Sequence, residues 1–417
     1  MKETIKADES RRSRLCAALS HWQLDALICA RPDNVLLLSG YWPVTGTAMA
    51  VITCDGRTAV IAPEDELEMA GRSRADFVIP FSPGSLESIS PVIAAIREAL
   101  FSAVDKLQLR PGRIGYEAGA ASVPVTYAAL FLPGNESAEL ISHALPTCTL
   151  IPADEMLAHL RARPTPAELD RIRLACHIAG QAFQSGAGML RTGLEETQAA
   201  ALFRAPLSAT ENEQINILRA DGFTFCMSGA NAARAFASYQ ISSRRKLQPG
   251  DLVLLHCNSY VDGFWTDITR TFCLGAPDEQ QRAMYEAVFA ARAAALEIMR
   301  PGVRAADVDR AAREVMKAHG FGGAFKHPTG HGVGFAAIDH NAPPRLHPQS
   351  DDVLEAGMVC NVEPGIYFEG LSGMRHCEMV VVTESGAEVL TPFLTELPDL
   401  MIPVSVASVS VRERNKP

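Results

Sequence analysis

The sequence has no window approaching about 18 consecutive apolar residues, and it opens on the polar run MKETIKADESRRSR. Neither a membrane span nor a secretory leader is therefore expected. Long basic runs are also missing: the densest is Ser242-Ser243-Arg244-Arg245-Lys246, in a chain of net charge −10. Such a chain offers no surface to track a phosphate backbone, so nucleic acid is not an expected partner. The ten cysteines include no CxxC pair. In a chain of this length they read as reduced thiols, mostly small core residues, of a cytoplasmic protein. The first 150 residues carry no Gly-rich phosphate loop on a strand-to-helix turn and few clustered His or acidic residues, which leaves that part a structural or substrate-shaping role.

At 417 residues, 47% hydrophobic and 21% charged, the chain is too apolar for a disordered protein and too long for one ordinary core. Two domains are the natural expectation. Short apolar runs (LDALICA, VLLLSGY, AMAVITC, TAVIAP), the helical stretch SPVIAAIREALFSAV and the run RIGYEAG alternate through the N-terminal part. Alternation of this kind predicts an α/β layer domain, over 1–160. A junction follows at RARPTPAE. Thr165 can cap, Pro166 suits the first turn and Glu168 completes a capping box, so a long helix is predicted from there toward Leu190. The second domain is expected over 165–405, with further helices at 278–299 and 305–318.

Chemistry-bearing residues concentrate in the second half. DLVLLHCNSYVDGFWTDITRTFC (251–273) holds two β-prone runs around Asp262-Gly263, a two-residue hairpin signal. A turn centred there pairs 261 with 264 and 258 with 267, putting His256, Asn258, Asp267 and Thr269 on one face. His256 and Asp267 then become diagonal neighbours, roughly 7–8 Å apart at the backbone, within reach of one shared cation. VCNVEPGIYF (359–368) and GMRHCEMVVVT (373–383) suggest a second hairpin, with Glu363 on one arm and Arg375 and Cys377 on the other. Between the hairpins, HPTGHGVG places glycines around His331, and six of the eleven histidines fall between 319 and 376.

The ordered segments GDLVLLH…GFWTDITRTF, HPTGHGVG, NVEPGIY and GMRHCEMVVVT resemble the successive motifs of the Xaa-Pro aminopeptidase, prolidase and creatinase family. RLCAALSHWQLDALICARPDNVLLLSGY is similar to that family's N-terminal domain, so the resemblance covers nearly the whole chain. It implies a creatinase-type α/β N-terminal domain, an α+β pita-bread C-terminal domain and commonly a homodimer. By the same resemblance Asp267 matches the bridging Asp, His331 the metal-binding His and Glu363 the first ligating Glu. His327 and Arg375 match polar residues lining the site. His340 resembles the second His of the family's His-Glu-x-Pro element, although at nine residues after His331 it stands further along than usual.

Three positions depart from the family pattern. His256 stands where the first Asp ligand is expected, Cys377 where the second bridging Glu is expected, and Phe236 where a proton-handling His follows a Gly-x-Asn element. Imidazole and thiolate are still metal ligands, but losing two carboxylates lowers the capacity to hold two adjacent dications. One divalent cation per chain is expected, held by Asp267, His331 and Glu363 with His256 or Cys377. Zinc is favoured over manganese, iron or cobalt. Glu363, His327, His340 and Arg375 are the candidate catalytic residues. The expected function is hydrolysis of an amide or other C–N bond in a small molecule or short peptide. The alternatives are a metal-free C–N hydrolase similar to creatinase and a non-catalytic binding protein on the same scaffold.

Overall fold

The computed structural model describes residues 8–43, 47–82, 84–119, 136–208, 217–236 and 241–404. The N-terminal part runs α1 (Glu9–His21), β1 (Ala26–Cys29), α2 (Pro32–Ser39), β2 (Met49–Thr53), β3 (Thr58–Pro63), α3 (Leu67–Ala70), β4 (Phe77–Phe81), α4 (Val92–Lys106), β5 (Arg113–Tyr116), α5 (Glu136–Ala144), β6 (Thr149–Pro152) and α6 (Asp154–Ala162). Its six strands form one sheet in the order β4-β3-β2-β1-β5-β6, with parallel and antiparallel pairs. The apolar run VLLLSG differs from the strands around it, because it is helix α2. Pro32 sits in its first turn and Gly40 closes it in the left-handed conformation at φ 77°. Burial on nearly every side removes the polar stripe that would mark a surface helix, so a short apolar run reads alike in either conformation.

The second part begins with α7 (Pro166–Met189), where Thr165 and Glu168 form the full capping box. There follow α8 (Glu196–Arg204), β7 (Ala220–Ser228), β8 (Leu252–Val261), β9 (Phe264–Trp265), β10 (Ile268–Leu274), α9 (Glu279–Ile298), α10 (Ala305–Ala318), β11 (Val359–Val362), β12 (Gly365–Phe368), β13 (Ser372–Arg375), β14 (Glu378–Val382), β15 (Ala387–Val389), α11 (Leu397–Leu400) and β16 (Met401–Ile402). The central sheet runs β16-β10-β8-β7, with β9 folded onto β8. Helix α9 starts behind Asp278, whose carboxylate accepts from Gln281 N in a further capping box. No helix among the described residues is long and apolar enough to cross a membrane.

Two features of the sheets set up the site. Asp262 and Gly263 both have positive φ, 51° and 88°, as a tight primed turn requires. The pairing Val261↔Phe264 then continues in step to Cys257↔Ile268 and His256↔Thr269 without a bulge. At Gly263 a side chain would also collide with the Trp42 ring from the N-terminal part.

Buried ion pairs tie the two parts together. Arg11 of α1 donates to Glu168 of α7 through Nε (2.9 Å) and Nη2 (2.5 Å), with both side chains almost wholly excluded from solvent. It also donates to the Leu160 and Arg163 carbonyls. Removing one partner of such a pair strands a buried charge. Arg11→Met should therefore lower unfolding stability by about 3–5 kcal/mol in urea titrations; a change within ~0.5 kcal/mol, as for a surface substitution, would show that the pair contributes nothing.

Candidate active site

The second hairpin is one pairing broken in the middle. β12 and β13 pair as Gly365↔Arg375, and β11 and β14 as Val362↔Glu378. One register therefore runs through the gap, and it sets Glu363 opposite Cys377. Cys377 N donates to Thr269 O (3.0 Å), joining this hairpin to the first one. Arg375 is fastened beside it: Thr271 Oγ1 accepts from Arg375 N (3.1 Å) and donates to Arg375 O (2.9 Å).

Ligand atoms of Asp267, Glu363 and Cys377 consequently lie within 4.8 Å of one another. His331 Nε2 is 3.4 Å from Asp267 Oδ2 and 3.6 Å from Glu363 Oε1. The loop carrying His331 reaches this point because Gly330 lies so close to the Asn361 carbonyl that no Cβ would fit. The ring is oriented from behind: Nδ1 faces the Gly332 carbonyl (3.0 Å) and Nε2 faces Asn361 Nδ2 (3.0 Å). With the Nδ1 proton on the carbonyl, Nε2 is the acceptor nitrogen; its lone pair takes the Asn361 amide hydrogen and lies beside the carboxylate cluster, so it is the ring atom a cation there would engage.

His256 stands beside Asp267, with Nδ1 3.6 Å from Oδ1, but its ring nitrogens are engaged elsewhere. Arg375 can only donate, so His256 Nδ1 accepts from Arg375 Nη2 (3.0 Å) and Nε2 carries the proton that Asn258 Oδ1 accepts (3.1 Å). Burial holds this imidazole neutral, with its pKa down at about 4. Arg375 completes a bracket, donating from Nε to Thr269 Oγ1 (3.1 Å) and facing Glu363 Oε2 at 3.6 Å.

His340 packs its ring against His331 at 4.8 Å between centroids. His327 Nε2 contacts the Tyr367 hydroxyl (2.8 Å). Burial pushes both of these imidazoles down to a pKa of about 3, so each is neutral near pH 7. Phe236 lines the same cleft together with Ile338 and Pro328, and it packs against Tyr367 at 5.5 Å. The sequence reading did not single out Asn361, Thr269 and Thr271 as supports of the site, or Tyr367. The alternation that placed Thr269 on the Asp267 face was a usable signal; the others carry no local mark.

The electrostatics are unbalanced. Burial raises the Glu363 carboxyl to about 7, with the neighbouring Asp267 adding to the effect and Arg375 and His331 opposing it. Asp267 is held low, because His256, His331 and Arg375 around it together outweigh its burial. Burial, then Asp267 and Glu363, drives the Cys377 thiol well above its ordinary range. Beside an ionised Asp267 in a buried site, Glu363 and Cys377 become anions together only if further positive charge joins them. The donor set of two carboxylates, one imidazole and one thiol fits a divalent cation.

The comparisons agree with this chemistry. Residues 170–384 match the model of "Metallopeptidase family M24", and residues 11–163 match "Creatinase/Prolidase N-terminal domain". The chain is 29% identical over 392 residues to the Xaa-Pro dipeptidase of Pyrococcus furiosus, covering 93% of this chain and 99% of that one. It is 33% identical over 246 residues to the Xaa-Pro dipeptidase of Lactobacillus delbrueckii, covering 58% and 63%. Among solved structures, the prolidase from Pyrococcus horikoshii superimposes with a TM-score of 0.73 at 26% identity, over 93% of this chain and 99% of that one. The dipeptidase PepE from Mycobacterium ulcerans gives 0.73 at 27% identity, over 95% and 98%. A creatinase-type N-terminal domain, a pita-bread half whose hairpins converge on Asp267, His331 and Glu363, and these matches together make the chain a member of metallopeptidase family M24, a metal-dependent hydrolase of peptide-type C–N bonds.

Proposed function

We propose that the chain hydrolyses an amide or related C–N bond of a short peptide or similar small substrate with one divalent cation per chain, zinc being favoured. The observation that carries this reading is the convergence of four donors of the N, O and S types: Asp267, Glu363 and Cys377 within 4.8 Å of one another, with His331 Nε2 at 3.4 Å and 3.6 Å from the two carboxylates. Four such ligands suit zinc, and the thiol disfavours the hard oxygen-seeking cations. A second adjacent dication would need the carboxylates that His256 and Cys377 replace, and His256 instead holds Arg375. The domain division at 160–165 and a homodimer belong to the same reading, as does a cytoplasmic setting, where ten free thiols would persist.

When bound, such a cation supplies Lewis acidity toward the scissile carbonyl and toward water. The protein's own groups do the rest. Glu363 faces His331 with one oxygen and Arg375 with the other, so its carboxylate is placed to take a proton from water and return it to the leaving nitrogen. Neutral His340 can donate one hydrogen bond to a substrate carbonyl without adding charge, while His327, whose one ring proton goes to the Pro328 carbonyl and whose Nε2 accepts from the Tyr367 hydroxyl, lines and shapes the cleft. Arg375, braced by Thr269 and His256, offers a fixed positive group to developing negative charge. Phe236 fills the place of a proton-handling His with a ring that can only pack.

Three outcomes test this. Elemental analysis of protein purified without added metal should find about one equivalent; His331→Ala and Glu363→Gln should remove it together with activity, and Cys377→Ser should weaken binding without unfolding the chain. Because Glu363 and Cys377 must both shed protons that burial makes them retain, chelator competition should give tighter metal binding at pH 8 than at pH 6. Two full equivalents would defeat the one-cation reading.

A substrate screen across proline dipeptides, other dipeptides, amides and amidines should show Xaa-Pro turnover depressed by roughly 10²–10⁴ relative to an enzyme with the full proton relay. Efficient cleavage of proline dipeptides, with nothing cleaved better, would show that Phe236 and the two ligand replacements are neutral. Light scattering at micromolar concentration should return the dimer mass; a monomer mass would remove the dimer from the reading.

A further inference from the structure

His340 sits on a largely buried loop that has an opening on each side. On one side the loop borders the reacting cleft through Ile338 and His340. On the other, Asn341 and Pro343 line a separate cavity of about 330 Å³, shared with Asn34, Arg161 and Arg345 of the surrounding elements. Ala342 and Leu346 pack the segment into the core, and the polar ties of the His340 turn meet at Asp339. Its N–H donates to the Gly332 carbonyl (2.9 Å), next to His331. Its Oδ1 accepts from Asn341 N (3.2 Å) and Ala342 N (3.0 Å), closing the turn that carries His340.

The carboxylate is in turn gripped by an arginine far away in sequence. Arg161 of α6 donates to Asp339 through Nε (2.7 Å) and Nη2 (3.3 Å), a two-pronged contact that fixes direction as well as distance. The third arm, Nη1, donates to Asn34 Oδ1 (2.5 Å) on α2. Asn34 Nδ2 donates to Glu117 Oε1 (2.7 Å), and Glu117 accepts from Ala30 N (2.9 Å) at the end of β1. Arg161, Asp339, Asn34 and Glu117 are all buried. A continuous chain of hydrogen bonds thus runs from the N-terminal sheet to the residue preceding His340.

We infer that Arg161 is a positioning residue for His340, through which the N-terminal domain sets the geometry of the reacting cleft. The inference rests on reading His340 as part of that cleft. Lysine at 161 keeps the charge but loses the fork, leaving Asp339 held at one point and the turn free to shift; misplacement by about 1 Å can cost on the order of 10²-fold in rate.

The test combines two readings of the metal-loaded, full-length protein. In Arg161→Lys, hydrogen exchange followed by mass spectrometry should show faster exchange across residues 339–342, with β8 and β10 unchanged. With the best substrate of the screen, kcat/KM should fall about 10–100-fold at unchanged metal content. His340→Ala should then cost much less in the Arg161→Lys background than in the wild type. Should Arg161→Lys fail to fold, Asp339→Asn carries the same test, since it retains the turn acceptor and forfeits the ion pair. Unaltered exchange in the loop, or an equal cost of His340→Ala in both backgrounds, overturns the inference. If no substrate is turned over by the wild type, the functional reading falls and loop exchange alone decides the role of Arg161.

Discussion

The backbone hydrogen bond from Cys377 N to Thr269 O is the contact on which the arrangement depends. It joins two hairpins whose ladders are each interrupted where they meet, at 266–267 in one and 363–364 in the other. At these breaks Asp267, Glu363 and Cys377 turn toward a common point. Continuous register on both sides of each gap keeps that point fixed. A shift of one residue in either hairpin would send its contribution to the opposite face. The turn at Asp262-Gly263 and the close approach at Gly330 protect this register and bring His331 to it.

Around that point the protein carries an inner set of acidic groups and a neutral or cationic outer set. His256, His327 and His340 are all pushed by burial toward the uncharged form. The positive charge comes from Arg375, which is tied to Thr269 and His256 and faces Glu363. Glu378, one residue beyond Cys377, points the other way and makes a separate structural network. There it pairs with Arg270 (2.8 Å) and Arg292 (2.9 Å), and these partners hold its pKa down at about 2 despite burial. Two neighbouring positions thus serve unrelated ends: Cys377, in the break before β14, meets Asp267, and Glu378, the first residue of β14, meets Arg270 and Arg292.

Much of this geometry could be read from the sequence, for local reasons. Asp-Gly between β-prone runs specifies both the turn and its register, so the pairing of His256 with Thr269 followed by counting. Thr165, Pro166 and Glu168 announced the start of α7 within one residue. The run VLLLSG carried no such punctuation beyond Pro32 and Gly40, and its complete burial erased the pattern that separates helix from strand. Glu363 and Cys377 could be placed on facing arms, but their approach to Asp267 depends on Thr269 meeting Cys377 across 108 residues of chain. Arg161 and Asp339 lie 178 residues apart, and neither sits in a motif. Contacts of that range leave no local periodicity, and Asn361 and Tyr367 escaped notice for the same reason.

The bond between Arg375 and His256 also bears on how such a centre can change over generations. A carboxylate at position 256 by itself would meet the Arg375 guanidinium at hydrogen-bonding distance and pair with it, so the replacement would be absorbed by an ion pair before it could serve a cation. A glutamate at 377 by itself would enlarge a side chain already packed against Asp267, in a site with no further positive charge to offset it. Each step is of little use until the other is present. The His256–Arg375 bond and the packing of Cys377 on Asp267 therefore couple positions 256 and 377, so that the effect of a carboxylate at one depends on the residue at the other.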